Sequence, residues 1–294
     1  MEYRIYSLEK PPRLLRTITG GEFFSASDED LDGGVEIWTN DAEAVDGFEN
    51  LSLSELDSAP SVVFRFAHDH LLDVSAEFPS YFDDEIARIR AKLQSDELED
   101  FKRSDGKLAA TSSTSSESLH RLRMTKIRVL EIVWAYLYSG RDRDAWRSLT
   151  EVWPASDVDR IRTAIVATRT RGIHSQANST STGAFRDRRK RVQIYDATNM
   201  AGPSRKLEVI PPKALLLQRP PVPAPEQEGL PAPEVLLDLL VDAAGKVHSA
   251  EPAGKMKTAD PDLIRAALTW KFIPAFKDAR PVASRLRIAV SPRQ

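Results

Sequence analysis

His68-Asp69-His70 invites a metal reading. Two imidazoles with a carboxylate suit zinc, and on a strand His68 and His70 would share a face. No third ligand stands at a recognisable spacing, so the competing reading is a pair of histidines at a strand end. His120, His174 and His248 lie far apart in the sequence. Asp83-Asp84-Glu85 is better explained as charge at a helix N-terminus than as an acid–base pair. There are no cysteines, which excludes disulfides, thiolate nucleophiles and Cys-based zinc or iron–sulfur sites. No Gly-rich phosphate loop, Gly-x-Ser-x-Gly elbow or His-Glu-x-x-His pair occurs. The sequence therefore nominates no catalytic residue, no metal and no cofactor, and a binding protein is expected rather than an enzyme.

The 294 residues suffice for two or three domains. A composition of 41% hydrophobic and 29% charged residues is that of a chain with a core, while 19 prolines imply linker. The net charge of −3 conceals an asymmetry: residues 1–110 hold 25 acidic against 11 basic side chains, and the remainder 19 against 30. The two parts should attract each other or face different partners, and the whole chain has no electrostatic case for nucleic acid. No window reaches the roughly 18 to 20 apolar residues that span a bilayer. Residues 1–20 are interrupted by Pro11-Pro12 and by charges, unlike a signal peptide. No anchor or export signal is therefore expected.

The elements that must position any site are of both kinds, so an α+β fold is expected. Short β-type runs occur at 3–6, 34–38 and 61–67, where Val62, Phe64 and Phe66 alternate with Val63, Arg65 and Ala67. Acidic and Gly-rich connections such as 28–34 separate them. Residues 83–103 read as a helix with Ile86, Ile89, Leu93 and Leu98 on one stripe. A Ser/Thr-rich loop at 107–118 follows. Residues 119–139 make the strongest helix, ended by Gly140. Further helices follow at 142–151 and 157–170, the last capped by Ser156. Tyr138-x-Gly140-x4-Ala145 looks like one tetratricopeptide-type hairpin, against the plainer reading of a packed bundle, since no second copy is found. The basic run Arg186-Asp-Arg-Arg-Lys-Arg191 could touch phosphate or lipid head groups, or serve as a solvated loop. Strands are expected at 192–197 and 207–210. Residues 211–233 read as a semi-rigid proline spacer.

After the spacer, Val235, Leu237, Leu239 and Val241 face one side of a strand. Gly245 lies in a turn, and 247–250 return as a second strand, making a hairpin. Asp260 caps a helix that starts at Pro261, with Leu263, Ile264, Ala267 and Leu268 on one face. Trp270 and Phe272 are bulky anchors, and residues 277–280 form a second turn. Val282, Ser284, Leu286, Ile288 and Val290 then alternate with Ala283, Arg285, Arg287 and Ala289 in a last strand.

Asp242-Ala-Ala-Gly245-Lys-Val247, Asp260-Pro-Asp-Leu-Ile-Arg-Ala-Ala-Leu268, Trp270-Lys-Phe272-Ile-Pro274-Ala275 and Asp278-Ala-Arg-Pro281-Val282 occur in that order. Residues 234–294 thereby resemble the C-terminal domain of TonB-type energy transducers, about a fifth of the chain. The family's usual Tyr-Pro opening is absent, and Ala279 stands where a turn glycine is commoner. The resemblance implies an antiparallel sheet of about three strands packed with a helix. It implies docking of an outer-membrane transporter peptide by β-strand addition, in which an exposed sheet edge receives a guest strand. The edge would be Ala283, Ser284, Arg285, Leu286, Arg287, Ile288, Ala289 and Val290. There Arg285 and Arg287 would favour an acidic guest, or else simply solvate the sheet. It further implies a periplasmic or cell-envelope location and, given an anchor, coupling to an ExbB/ExbD-type inner-membrane complex. The alternative is an envelope scaffold or assembly protein with the same module and no energy coupling.

The expected organisation is an acidic domain at 1–110, a helical region with a basic tail at 111–200, a Pro-rich linker at 201–233 and the TonB-like domain at 234–294. So small a terminal domain has a small core, and would lean on its neighbour or form a homodimer.

Overall fold

Helices and sheets both form, and the chain is α+β. The computed structural model describes residues 1–7, 9–108, 115–180, 193–198, 209–217, 234–253 and 260–290. The chain divides into two units, Met1–Ser25 with Ile37–Arg188, and Ala26–Glu36 with Arg189–Gln294.

In the first unit, β1 (Glu2–Tyr6) and β2 (Leu14–Thr19) form an antiparallel hairpin. Strand β3 (Ser25–Ser27) starts at the last residue of the unit's first segment, and β4 (Glu36–Asn40), β5 (Ser61–Ala67), β6 (His70–Asp73) and β7 (Ser179–Thr180) follow in sheet order β4-β5-β6-β7. The helices are α1 (Ala42–Val45), α2 (Pro79–Arg90), α3 (Ser95–Arg103), α4 (Ser116–Tyr138), α5 (Asp142–Val152) and α6 (Val158–Arg169). The Ser115 hydroxyl caps α4 by accepting from Ser118 N–H. Leu130, Val133 and Trp134 of α4 are fully buried, each contributing about 1.5–3 kcal/mol of transfer free energy. Gly140, at φ +75°, turns the chain, and Ala145 at 0% exposure lets α5 approach α4 closely.

Three expectations change here. Residues 1–110 and 111–200 are not separate, because Val62, Phe64, Phe82 and Phe101 share one core with Leu130, Trp134, Leu149 and Ile161. The helix expected at 83–103 is two helices, and α2 starts earlier, with Pro79 in its first turn. Asp83, Asp84 and Glu85 therefore lie inside α2 rather than at its N-terminus. Of the Ser/Thr-rich loop expected at 107–118, residues 109–114 lie outside the described residues and 116–118 belong to α4, whereas the basic run at 186–191 lies entirely outside them.

In the second unit, β8 (Tyr195–Asp196), β9 (Lys213–Leu216), β10 (Val235–Val241) and β11 (Val247–Pro252) precede α7 (Pro261–Ala267). Then come β12 (Lys271–Ile273), β13 (Ala275–Lys277), β14 (Arg280–Val282) and β15 (Ser284–Val290). The main sheet has the order β11-β10-β15-β8, with β12–β9 and β13–β14 as small antiparallel pairs. Leu237, Leu239, Val241, Val247, Trp270, Phe272 and Leu286 form its core. The Asp260 carboxylate caps α7 by accepting from Asp262 N–H at 2.9 Å, and Pro261 follows as expected. The linker expected at 201–233 is not continuous, since Lys213–Leu216 pairs with β12 as a strand; residues 218–233 lie outside the described residues.

Candidate functional site

Strand β15 alternates as expected, with Ser284, Leu286 and Val290 buried and Arg285, Arg287 and Ala289 exposed. Ala283, expected on the basic outer face, is instead 2% exposed and precedes the strand. Its carbonyl accepts from Tyr195 N–H at 3.0 Å, and Arg285 O accepts from Ala197 N–H at 2.8 Å. The other side of β15 is taken along its length by β10. The expected edge is thus half closed. The chain's own β8 covers it at Ser284 and Arg285, and among the described residues no strand lies beyond Arg285. Backbone groups alternate sides along a strand. Because Ala283 and Arg285 point toward β8, the N–H and C=O of Arg287 and Ala289 point to that same outer side.

The outer face of this sheet is polar. A cleft of about 260 Å³ is lined by Asp238, Leu240, Ser249, Glu251, Arg285 and Arg287. Arg287 is bonded to Asp238, which holds that carboxyl below the usual range. Arg285 forms no ion pair among the described residues.

A second cluster sits at the β10–β11 turn, where residues 26–36 dock. The Asp242 carboxylate, 0% exposed, accepts from Asp28 N–H at 3.0 Å and from Ala244 and Lys246 N–H at 2.8 Å. His248 Nε2 lies 2.9 Å from the same carboxylate, which raises the imidazole pKa. Lys246 pairs with Glu29 at 2.8 Å. Carboxylate oxygens of Asp28, Asp30 and Glu36 lie within 4.8 Å of one another, an oxygen-only set that suits a hard cation such as calcium or magnesium. Both oxygens of Asp28 already accept from Asp32 and Gly33 N–H, and burial raises its pKa to about 6. The spacing Asp28-x-Asp30-x-Asp32-Gly33 matches the opening of a calcium loop. It is the signal that a reading of 28–34 as a mere connection passes over. Thr39, at the twelfth position, departs from the glutamate of that motif.

His68 and Asp69 do not lie on a strand. They occupy the β5–β6 turn at φ 51° and 63°, so His68 and His70 share no strand face. Glu85 accepts from Ser58 Oγ at 3.2 Å, and burial raises its pKa. Among the described residues no helix is long and apolar enough to cross a membrane. Comparison with family models, with curated proteins and with solved structures finds no match.

Proposed function

We propose that the second unit carries a TonB-like module that binds an extended peptide from an outer-membrane transporter by β-strand addition along β15. The observation that carries this reading is the outward edge of β15 beyond Arg285, with the backbone groups of Arg287 and Ala289 turned away from β10. Sheet edges of this kind are templates for an incoming strand. Support also comes from the order of hairpin β10–β11, α7, the Trp270–Ala275 segment and β15, with Trp270 and Phe272 buried beneath the sheet. In a cell envelope such a module would act as an energy transducer if joined to an anchor and an ExbB/ExbD-type complex.

A scaffold or assembly role without energy coupling is the second reading. It is favoured by the docking of residues 26–36 on the β10–β11 turn, which ties the module into a larger unit.

The test is titration of the isotope-labelled full chain with synthetic peptides from transporter N-terminal segments. Amide shifts at Arg287 and Ala289 are expected. Ala289→Pro removes an outward N–H while sparing the β10 pairing, and should weaken binding roughly tenfold. Unperturbed amides, or full binding by A289P, would rule the edge out.

A further inference from the structure

A groove of about 640 Å³ opens on the first unit, lined by α5, α6 and the turn Ile173–Gln176. We propose that it binds an organic carboxylate, with the anion on Arg162 and Arg169 and an apolar body against Trp146 and Val166.

The two arginines stand seven residues apart on α6, two turns along one face and about 10 Å in rise. Arg162 is exposed, stacks its guanidinium over Trp146 at 4.8 Å and forms no ion pair among the described residues. Arg169 lies over Tyr138 at 5.4 Å. Its outer donors are poorly filled: Nη2 reaches Leu137 O at 3.4 Å and Nη1 is 3.6 Å from Asp142. A guanidinium with unused donors matches the two oxygens of a carboxylate in one plane. Asp142 is the only acid lining the groove among the described residues, and its side chain is 60% exposed, so water screens its pairing with Arg169.

Other lining groups narrow the ligand class. Thr170 Oγ1 donates to Ala167 O and Ser175 Oγ to Gly172 O, both at 2.7 Å, so neither hydroxyl proton is left for an anion. Val166 is 50% exposed, an apolar surface beside Trp146. The volume falls in the range of small-molecule sites.

The floor is fixed before any ligand arrives. His174 Nε2 lies 2.8 Å from the buried Asp73, whose other oxygen accepts from Ser75 N–H at 2.9 Å. Tyr138 OH and Ile173 N–H donate to Asp41 at 2.7 and 2.8 Å. Gly172 makes room for that carboxylate, since a Cβ there would lie 2.1 Å from Asp41 Oδ1. Such preorganisation lowers the ordering cost of binding.

Calorimetric titration of the full chain with benzoate and with the uncharged, isosteric benzamide tests the proposal. Benzoate is expected to bind saturably and benzamide not. Arg162→Gln should weaken benzoate roughly tenfold, the value of a lost charged hydrogen bond, at an unchanged unfolding midpoint. Equal binding of the two probes, full binding by R162Q, or absence of saturation would overturn it. So would displacement of benzoate by equimolar inorganic phosphate, which would mark a tetrahedral-anion site.

Discussion

Arg287 on β15 and Asp238 on β10 face each other in the antiparallel register, and the guanidinium donates Nε and Nη2 to the two carboxylate oxygens at 2.7 and 2.8 Å. The cation that would meet an acidic guest is thus engaged with an acid of its own sheet. Both side chains are substantially exposed, so water and salt weaken the pair and leave it exchangeable. Asp238→Asn removes the competitor. Tighter binding of acidic transporter-type peptides is expected, with a steeper salt dependence and an unchanged unfolding midpoint. Calorimetry at two ionic strengths reads it; an unaltered affinity would mean that Arg287 does not touch the guest.

Glu131 makes the first unit less stable as pH rises. It is 4% exposed; Oε1 accepts from Asp57 N–H at 2.7 Å, and Oε2 is buried without a partner. Burial outweighs the backbone bonds and lifts its pKa to about 7. Between the unfolded value of about 4.3 and that folded value, the native state holds a proton that the unfolded chain has released. Stability therefore falls as pH climbs through that window and levels above it, by roughly a few kcal/mol in all. Glu131→Gln retains an acceptor oxygen and removes the titration. Urea unfolding at about pH 5 and about pH 8 should show a flatter profile and higher stability at the upper pH; the same slope in both proteins would refute the assignment.

Much of this organisation could be read ahead of the structure, and the exceptions have physical causes. Helix α4 was legible because its long apolar run ends at Gly140, and hairpin β10–β11 because Leu237, Leu239 and Val241 alternate up to the Gly245 turn. The docking of 26–36 was not, because Asp28 and its acceptor Asp242 are 214 residues apart and no local pattern encodes the pairing. Strand β9 was hidden by flanking prolines, its identity set by β12. Half of the candidate edge was legible from alternation, while its closure by β8 depends on a pairing about 90 residues away.

Lys126 and Glu49 carry a second stability prediction. The Lys126 side chain is 2% exposed and its ammonium lies 3.0 Å from Glu49, which also accepts from Arg160. Removing one partner of a buried pair strands the other charge, at about 3–5 kcal/mol. Glu49→Gln should cost that order, and Lys126→Met in the same background should restore part of it. A double-mutant cycle in urea measures the coupling; purely additive effects would show that the pair is not coupled.

The β13–β14 turn offers the converse case, a position where the native residue is under strain. Asp278 and Ala279 close the hairpin at φ 49° and 62°, the left-handed region that a two-residue type I′ turn demands. Alanine there carries about 1–2 kcal/mol of steric cost. Glycine would relieve it and return roughly 0.4–1 kcal/mol through the added freedom of the unfolded chain. Ala279→Gly should therefore stabilise the second unit by up to about 1 kcal/mol. Gly245 is its opposite, at φ +81° with Phe272 O only 1.8 Å from the place a Cβ would take. Phe272 N–H also donates to Gly245 O at 2.9 Å, so the turn and the Trp270–Phe272 anchor are locked together. Gly245→Ala should destabilise by about 3 kcal/mol or more. It should also expose the Phe272 amide to hydrogen exchange, whereas A279G leaves that amide protected. Matching effects at the two turns would mean that backbone strain, rather than the close approach of Phe272, sets both.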